Sequence, residues 1–83
     1  MTKREIQITR ALLEVLHETD GVQLGEITLH REVNLIVICS ATEFAAVLKQ
    51  CDARKWLTGV PARTTGAMKY NINDAGEAAR LEF

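Results

Sequence analysis

The sequence has few of the residues that build metal centres, redox pairs or membrane spans. Its two cysteines, Cys39 and Cys51, are separated by eleven residues, a spacing that fits neither a zinc knuckle nor a CxxC redox pair. No apolar run approaches the roughly 18 residues that cross a bilayer, and charges interrupt the apolar pattern of the N-terminal stretch, unlike in a signal peptide. We therefore expect two buried thiols, no metal, no cofactor, no membrane segment and a cytoplasmic location.

The sequence also lacks the arrangements that carry catalysis. No Ser-His-Asp or Cys-His pairing, no paired carboxylates in an apolar setting and no glycine-rich phosphate loop can be recognised. Its 83 residues form a small core with little room for a substrate pocket. We predict one domain, residues 1–83, without enzymatic activity.

Charge is distributed unevenly along the chain. The net charge of −1 by itself disfavours strong nonspecific binding to DNA. Residues 49–69, however, carry a net charge of +4, with Asp52 as the single acid, and are flanked by acidic segments. The cations of this segment are Lys49, Arg54, Lys55, Arg63 and Lys69. Such a cluster is typical of a solvated face or of a binding surface for an anionic partner.

The N-terminal half has the pattern of helices. Thr2 and Glu5 match the capping-box signature, and helical periodicity predicts a helix at about 3–19. Its buried positions are predicted to be Ile8, Leu12, Leu13, Val15 and Leu16. A shorter helix is predicted at 26–34. Residues 35–39, LIVIC, are apolar without a helical period, which predicts either a buried strand or an extended connector.

A second capping box, Ser40 with Glu43, begins the most regular helical pattern in the chain. We predict a helix at about 41–54. Its buried positions are predicted to be Phe44, Val47, Leu48 and Cys51. The opposite face is predicted to hold Thr42, Ala46, Lys49 and Ala53, with Gln50 at its margin.

Period-two alternation on both sides of the segment PARTTGA predicts two strands of a β-hairpin. The segment itself is predicted to be the loop, because it contains a proline and a glycine. The alternating positions are 56, 58 and 60 before the loop and 68, 70 and 72 after it. We expect Trp56 and Tyr70 to pack on the core. A final helix, capped by Asn73 or Asp74, is predicted to continue to residue 82.

The order of these elements resembles the winged-helix DNA-binding domains. The resemblance is carried by the segment EFAAVLKQCDARKWLTGV and by the opening of the last helix, Ile72, Asn73, Asp74, Ala75 and Gly76. It covers roughly residues 3–82 in element order and 40–80 in local pattern. It implies an α+β winged helix with three N-terminal helices, a short strand near 22–24 that pairs with the hairpin, a β-hairpin wing and a C-terminal helix.

The resemblance also implies a function. In that family the third helix enters the major groove and the wing contacts the DNA backbone or the minor groove. The positions that correspond are Thr42, Ala46, Lys49, Gln50 and Ala53 for the reading face, Arg54 and Lys55 for phosphates, and Arg63, Thr64, Thr65 and Lys69 for the wing. Gln can pair with adenine and Lys can donate to guanine, whereas Thr and Arg hold phosphates. The expected protein is a small bacterial or phage transcriptional regulator that binds duplex DNA as a homodimer.

Two features leave an alternative open. Residues 35–40 are longer than the 3–4-residue turn of a tight helix-turn-helix, and the predicted reading face is rich in alanine. The same fold is therefore also expected as a protein–protein interaction module without DNA binding. In a homodimer, the apolar contact is expected from the helix at 3–19 or from the C-terminal tail with Leu81 and Phe83.

Overall fold

The structure is a computed structural model that describes residues 1–19 and 21–83. Over these residues the chain forms four helices and three strands. They are α1 (Lys3–Glu18), β1 (Leu24–Gly25), α2 (Glu26–Asn34), α3 (Ala41–Ala53), β2 (Leu57–Pro61), β3 (Met68–Ile72) and α4 (Asp74–Glu82). The predicted α+β class is confirmed.

The helices begin where the capping signals predict. The hydroxyl groups of Thr2 and Ser40 each accept the backbone N–H three residues on, at 3.1 Å, and the glutamate there accepts the cap N–H in return. Asn73 is the cap of α4, since its Oδ1 accepts the Gly76 N–H at 2.8 Å. The first residue of α2 follows Gly25, which provides no side-chain cap.

The core is formed by the predicted apolar faces of α1 and α3, closed by α2, the sheet and α4. Every position predicted to be buried in α1 and α3 is buried. The other elements contribute Leu29, Val33, Leu57, Ile72 and Ala79. Both cysteines are free and buried, as expected. Among the described helices, none is both long and apolar enough to cross a membrane.

The sheet is antiparallel, in the order β1-β3-β2. Leu57 lies opposite Ile72, and both are buried at the base of the hairpin. Trp56 precedes β2 and packs edge-on against Phe83, with ring centroids 5.6 Å apart. Trp56 and Tyr70 are both half-buried against the core, which confirms their predicted packing role.

The apolar segment 35–39 does not form a strand. Its backbone turns at the end of α2, where the Val37 N–H donates to the Val33 carbonyl at 2.8 Å. Leu35 and Ile38 are 79% and 81% exposed, so the buried-strand alternative is wrong. The reason is that turn hydrogen bonds, rather than a neighbouring strand, satisfy this backbone.

Candidate nucleic-acid interface

The outer face of α3 is exposed along the whole helix. The capping box fixes the residue at which α3 begins. Because the apolar stripe of the helix is buried in the core, the residues on the opposite side face the solvent. Thr42, Ala46, Lys49 and Ala53 are all exposed, as predicted for the reading face. The 13 residues of α3 extend over roughly 20 Å at a rise of 1.5 Å per residue. This face is smooth, because small side chains predominate, and it carries one cation, Lys49.

Gln50 differs from its neighbours because it contacts α1. It is half-buried, and its amide nitrogen donates to the carboxylate of Glu5. Hydrogen bonds from the Thr2 backbone and then from Gln50 hold the pKa of Glu5 below its ordinary value. One of the two N–H donors of this amide is therefore engaged within the protein, and the bond holds the side chain toward α1.

Arg54 and Lys55 lie at the junction between α3 and the hairpin, and both are exposed. The guanidinium of Arg54 lies over the Trp56 ring, 5.3 Å from its centroid, a cation–π distance. Lys55 has a φ of 61°, the left-handed conformation that commonly ends a helix. The Trp56 N–H donates to the Cys51 carbonyl at 3.1 Å, and the Lys55 N–H donates to the Asp52 carbonyl at 3.0 Å. These bonds form a Schellman motif that holds both cationic residues at a fixed point of the backbone.

The hairpin loop carries Arg63, Thr64 and Thr65, which are all exposed. The loop is closed by a bond from the Ala62 N–H to the Ala67 carbonyl at 2.8 Å. The Thr65 hydroxyl oxygen accepts the Ala67 N–H at 3.2 Å, which leaves its O–H available as a donor. The structure thus presents three polar side chains at the tip of the hairpin.

Lys69 lies on β3, opposite Val60 of β2 and Gly25 of β1. It lines a groove of about 370 Å³ between the start of α2 and the hairpin, together with Thr28, Thr65 and Tyr70. Burial raises the pKa of the Tyr70 hydroxyl, so at neutral pH that group is a donor. Two of the predicted residues, Lys69 and Thr65, therefore line one groove, whose surface is mostly apolar and which Glu26 also lines.

The cations of residues 49–69 share one electrostatic property. Within the described part of the chain, none of the five forms an ion pair. Arg4 and Arg80, in contrast, are paired with Glu43 and Glu14, at N–O distances of 3.1 and 3.3 Å. Because the five cations are exposed and have no ion-pair partner among the described residues, their charge is available to an anionic ligand.

Sequence reasoning missed the second role of Asn73. Besides capping α4, its amide nitrogen donates to the Lys55 carbonyl at 2.8 Å, which ties the α3–hairpin junction to α4. A local pattern identifies the cap but cannot reveal a bond that spans 18 residues. The Arg54–Trp56 stacking was not predicted either, although two residues this close in sequence could have suggested it.

No arrangement for metal binding is present in the described residues, where no group of three His, Cys, Asp or Glu side chains converges. His30 instead bonds the Cys39 carbonyl at 2.9 Å, and His17 contacts the Glu77 carboxylate at 2.9 Å. In comparisons with known proteins, no family model, curated protein or solved structure matches this chain.

Proposed function

We propose that this chain is a small winged-helix protein that binds duplex DNA with α3 and the wing, the wing being β2, β3 and the loop between them. The element order and the pairing of β1 with β3 support the winged-helix assignment, since a brief strand paired with the hairpin is expected there. The proposal includes a cytoplasmic location and a role in transcription regulation.

The observation that carries this proposal is the set of exposed cations on α3, at its C-terminal end and on the wing that form no ion pair with the described residues. Phosphate contacts supply most of the sequence-independent affinity for DNA, and each neutralised phosphate releases counterions. Cations that form no ion pair with the described residues have no carboxylate partner there to give up when they bind phosphate. Residues 49–69 carry +4 and the whole chain −1, so the remaining residues carry −5, and the attraction is confined to the region of the five cations.

Each part of the surface has its own role in this proposal. Lys49 donates to a guanine edge, while Ala46 and Ala53 allow close approach of the helix to the groove. Arg54, Lys55 and the wing hold phosphates and set the orientation of α3. The wing residues in this role are Arg63, Thr64, Thr65 and Lys69.

The test is a titration of fluorescent duplex DNA with the protein at several salt concentrations. If the four cations assigned to phosphate, Arg54, Lys55, Arg63 and Lys69, all contact it, the slope of log K against log salt approaches about −3.6. Arg63→Ala is expected to reduce the slope by about 0.9. Arg31→Ala is the matched control, because Arg31 is exposed and without an ion pair among the described residues but lies on α2. Absence of binding to long duplex DNA at about 50 mM salt would contradict the proposal.

A second candidate function is protein binding through the same helix face. Ala45, Ala46 and Ala53 are exposed on α3, and small side chains allow another helix to pack closely. In this case a specific protein partner would be recovered with the wild type and lost with Ala46→Glu or Ala53→Glu. Recovery of the same complex with both variants would exclude the α3 face as the contact.

A further inference from the structure

A second exposed surface lies beside α1, formed by the turn that follows α2. Leu35, Ile36 and Ile38 are 79%, 56% and 81% exposed, and we call these three residues the connector surface. Between this segment and α1 lies an open groove of about 440 Å³. It is lined by Gln7, Arg10, Ala11, Glu14, Ile36 and Val37. The connector backbone is held against α1 by the Arg4 guanidinium, which donates to the Ile38 carbonyl.

The apolar area of the connector surface can be compared with the area that a stable protein–protein interface needs. At about 30 Å² for each methylene-sized group, the exposed parts of the three side chains, with four carbons each, present roughly 260 Å² of apolar surface. A stable interface buries about 800 Å² on each partner, of which a little more than half is apolar. The connector surface therefore supplies more than half of the apolar area that one side of such an interface needs.

The charges on α1 indicate which partner fits. Five polar residues of α1 follow one another at intervals of three or four positions, so they form one stripe along the helix. All of them are exposed except Glu14, which is half-buried. These residues are Lys3, Gln7, Arg10, Glu14 and Glu18. The cations occupy the N-terminal half and the anions the C-terminal half. An antiparallel copy of the same stripe places each cation opposite an anion, whereas a parallel copy opposes like charges.

We propose that the connector surface is covered by a second copy of this chain. The two α1 helices pack antiparallel about a two-fold axis near the middle of this stripe, close to Arg10, which is exposed. Arg10 then faces Glu14 of the second copy, and Lys3 faces Glu18 of the second copy. This reciprocity is the property of an isologous interface. Glu14 also receives a bond from Arg80 at 3.3 Å, and a carboxylate has acceptor sites for both partners.

The self-complementary stripe is what distinguishes a second copy from other partners. A uniformly acidic or basic partner would match only half of the stripe and would be repelled by the other half. An uncharged apolar partner would cover the connector surface but leave the charges without a function. The proposal does not depend on DNA binding, because its residues lie outside the segment 49–69.

The test uses two charge-reversed proteins and sedimentation equilibrium at about 10 to 200 µM. In the first, Lys3→Glu and Arg10→Glu make the stripe wholly acidic. In the second, Glu14→Lys and Glu18→Lys make it wholly basic. Each alone is expected to dissociate at least ten times more readily than the wild type, and an equimolar mixture is expected to form a heterodimer. If loss of the Glu14–Arg80 bond unfolds the second protein, Lys3→Glu and Glu18→Lys as single variants provide the same mixing test.

The apolar contribution is tested with Leu35→Lys and Ile38→Lys, which are expected to weaken the dimer at least ten-fold. Leu81→Lys is the matched control, because Leu81 is 77% exposed but lies on α4. Three results would overturn the proposal. They are a wild type that stays monomeric at 200 µM, a mixture that forms no heterodimer, and a dimer that Leu81→Lys dissociates but Leu35→Lys does not.

Discussion

Gly76 places the first turn of α4 directly against the backbone carbonyl of Trp56. A Cβ at position 76 would overlap the Trp56 carbonyl oxygen and would lie 2.7 Å from Cγ1 of Ile72. The same carbonyl accepts the Asn73 N–H at 3.4 Å. The absence of a side chain at one position thus allows α4 to pack against the start of the hairpin.

Gly76→Ala is expected to destabilise the protein despite the higher helix propensity of alanine. Alanine gains about 1 kcal/mol over glycine inside a helix, but overpacking costs about 1–3 kcal/mol and more where backbone has to move. We expect the free energy of unfolding to fall by about 1–2 kcal/mol, measured by urea denaturation. Gly25→Ala is the control, because a Cβ there meets nothing within 4 Å. Equal effects of the two substitutions would show that the close packing at Gly76 is energetically unimportant.

Two substitutions of Lys55 can distinguish the effect of backbone strain on stability from the effect of its charge on DNA binding. A non-glycine residue in the left-handed region costs about 1–2 kcal/mol, and Lys55 has a φ of 61°. Lys55→Gly is expected to raise the free energy of unfolding by about 0.5–1 kcal/mol, because part of the gain is offset by the greater freedom of glycine in the unfolded chain.

Lys55→Ala is the matched control, because it removes the same charge but keeps the strained conformation. If Lys55 binds phosphate, both variants are expected to lose the same amount of affinity for duplex DNA, while only the glycine variant is stabilised. Thermal denaturation and a DNA titration of each variant give the two quantities. A glycine variant no more stable than the alanine variant would refute the strain at this position.

Cys51 is expected to make stability depend on alkaline pH. Burial raises the pKa of its thiol from 9.0 to about 11, so the folded protein retains a proton that the unfolded chain releases. This contribution to stability is complete below about pH 9 and is lost as the pH rises toward 11. Between pH 8 and pH 10 the loss amounts to about 1 kcal/mol.

Cys51→Ala isolates this effect, since lysine and tyrosine titration is the same in both proteins. The variant is less stable at every pH because a buried side chain is shortened, but its stability is expected to fall less between pH 8 and pH 10. Urea denaturation at the two pH values measures this difference. Parallel pH profiles would mean that the Cys51 thiol titrates normally.

Gln50 and Lys49 are adjacent in sequence but are expected to behave differently. If α3 enters the major groove and Lys49 donates to a guanine edge, Lys49→Ala weakens duplex binding by about 1–3 kcal/mol and relaxes specificity at that base pair. Gln50→Ala is expected to leave binding within two-fold, because its amide is already bonded to Glu5, and to lower the melting temperature instead. DNA titration and thermal denaturation of both variants distinguish these roles. A loss of affinity with Gln50→Ala equal to that with Lys49→Ala would show that Gln50 leaves Glu5 to contact the base.

The helices could be predicted closely because their determinants are local. Capping pairs act over three residues, and apolar periodicity acts over one or two turns. As a result α2 has its predicted range, and α3 ends one residue before its predicted end. The connector at 35–39 could not be predicted in this way. Its apolar residues left two alternatives open, a buried strand and an extended connector. Leu35 and Ile38 are exposed because the backbone turns after α2, and the Ile38 carbonyl accepts a bond from Arg4, 34 residues away.

The amino-acid sequence by itself determined the helices, the hairpin and the outward position of Lys49, since these follow from caps and periodicities within a few residues. Only the tertiary structure decided that Gln50 is held by Glu5, that Arg54 lies over Trp56, and that the connector surface is exposed on the single chain. The physical reason is that these contacts depend on how separate elements pack together. Local patterns specify which face of an element is apolar, but not which distant side chain it meets.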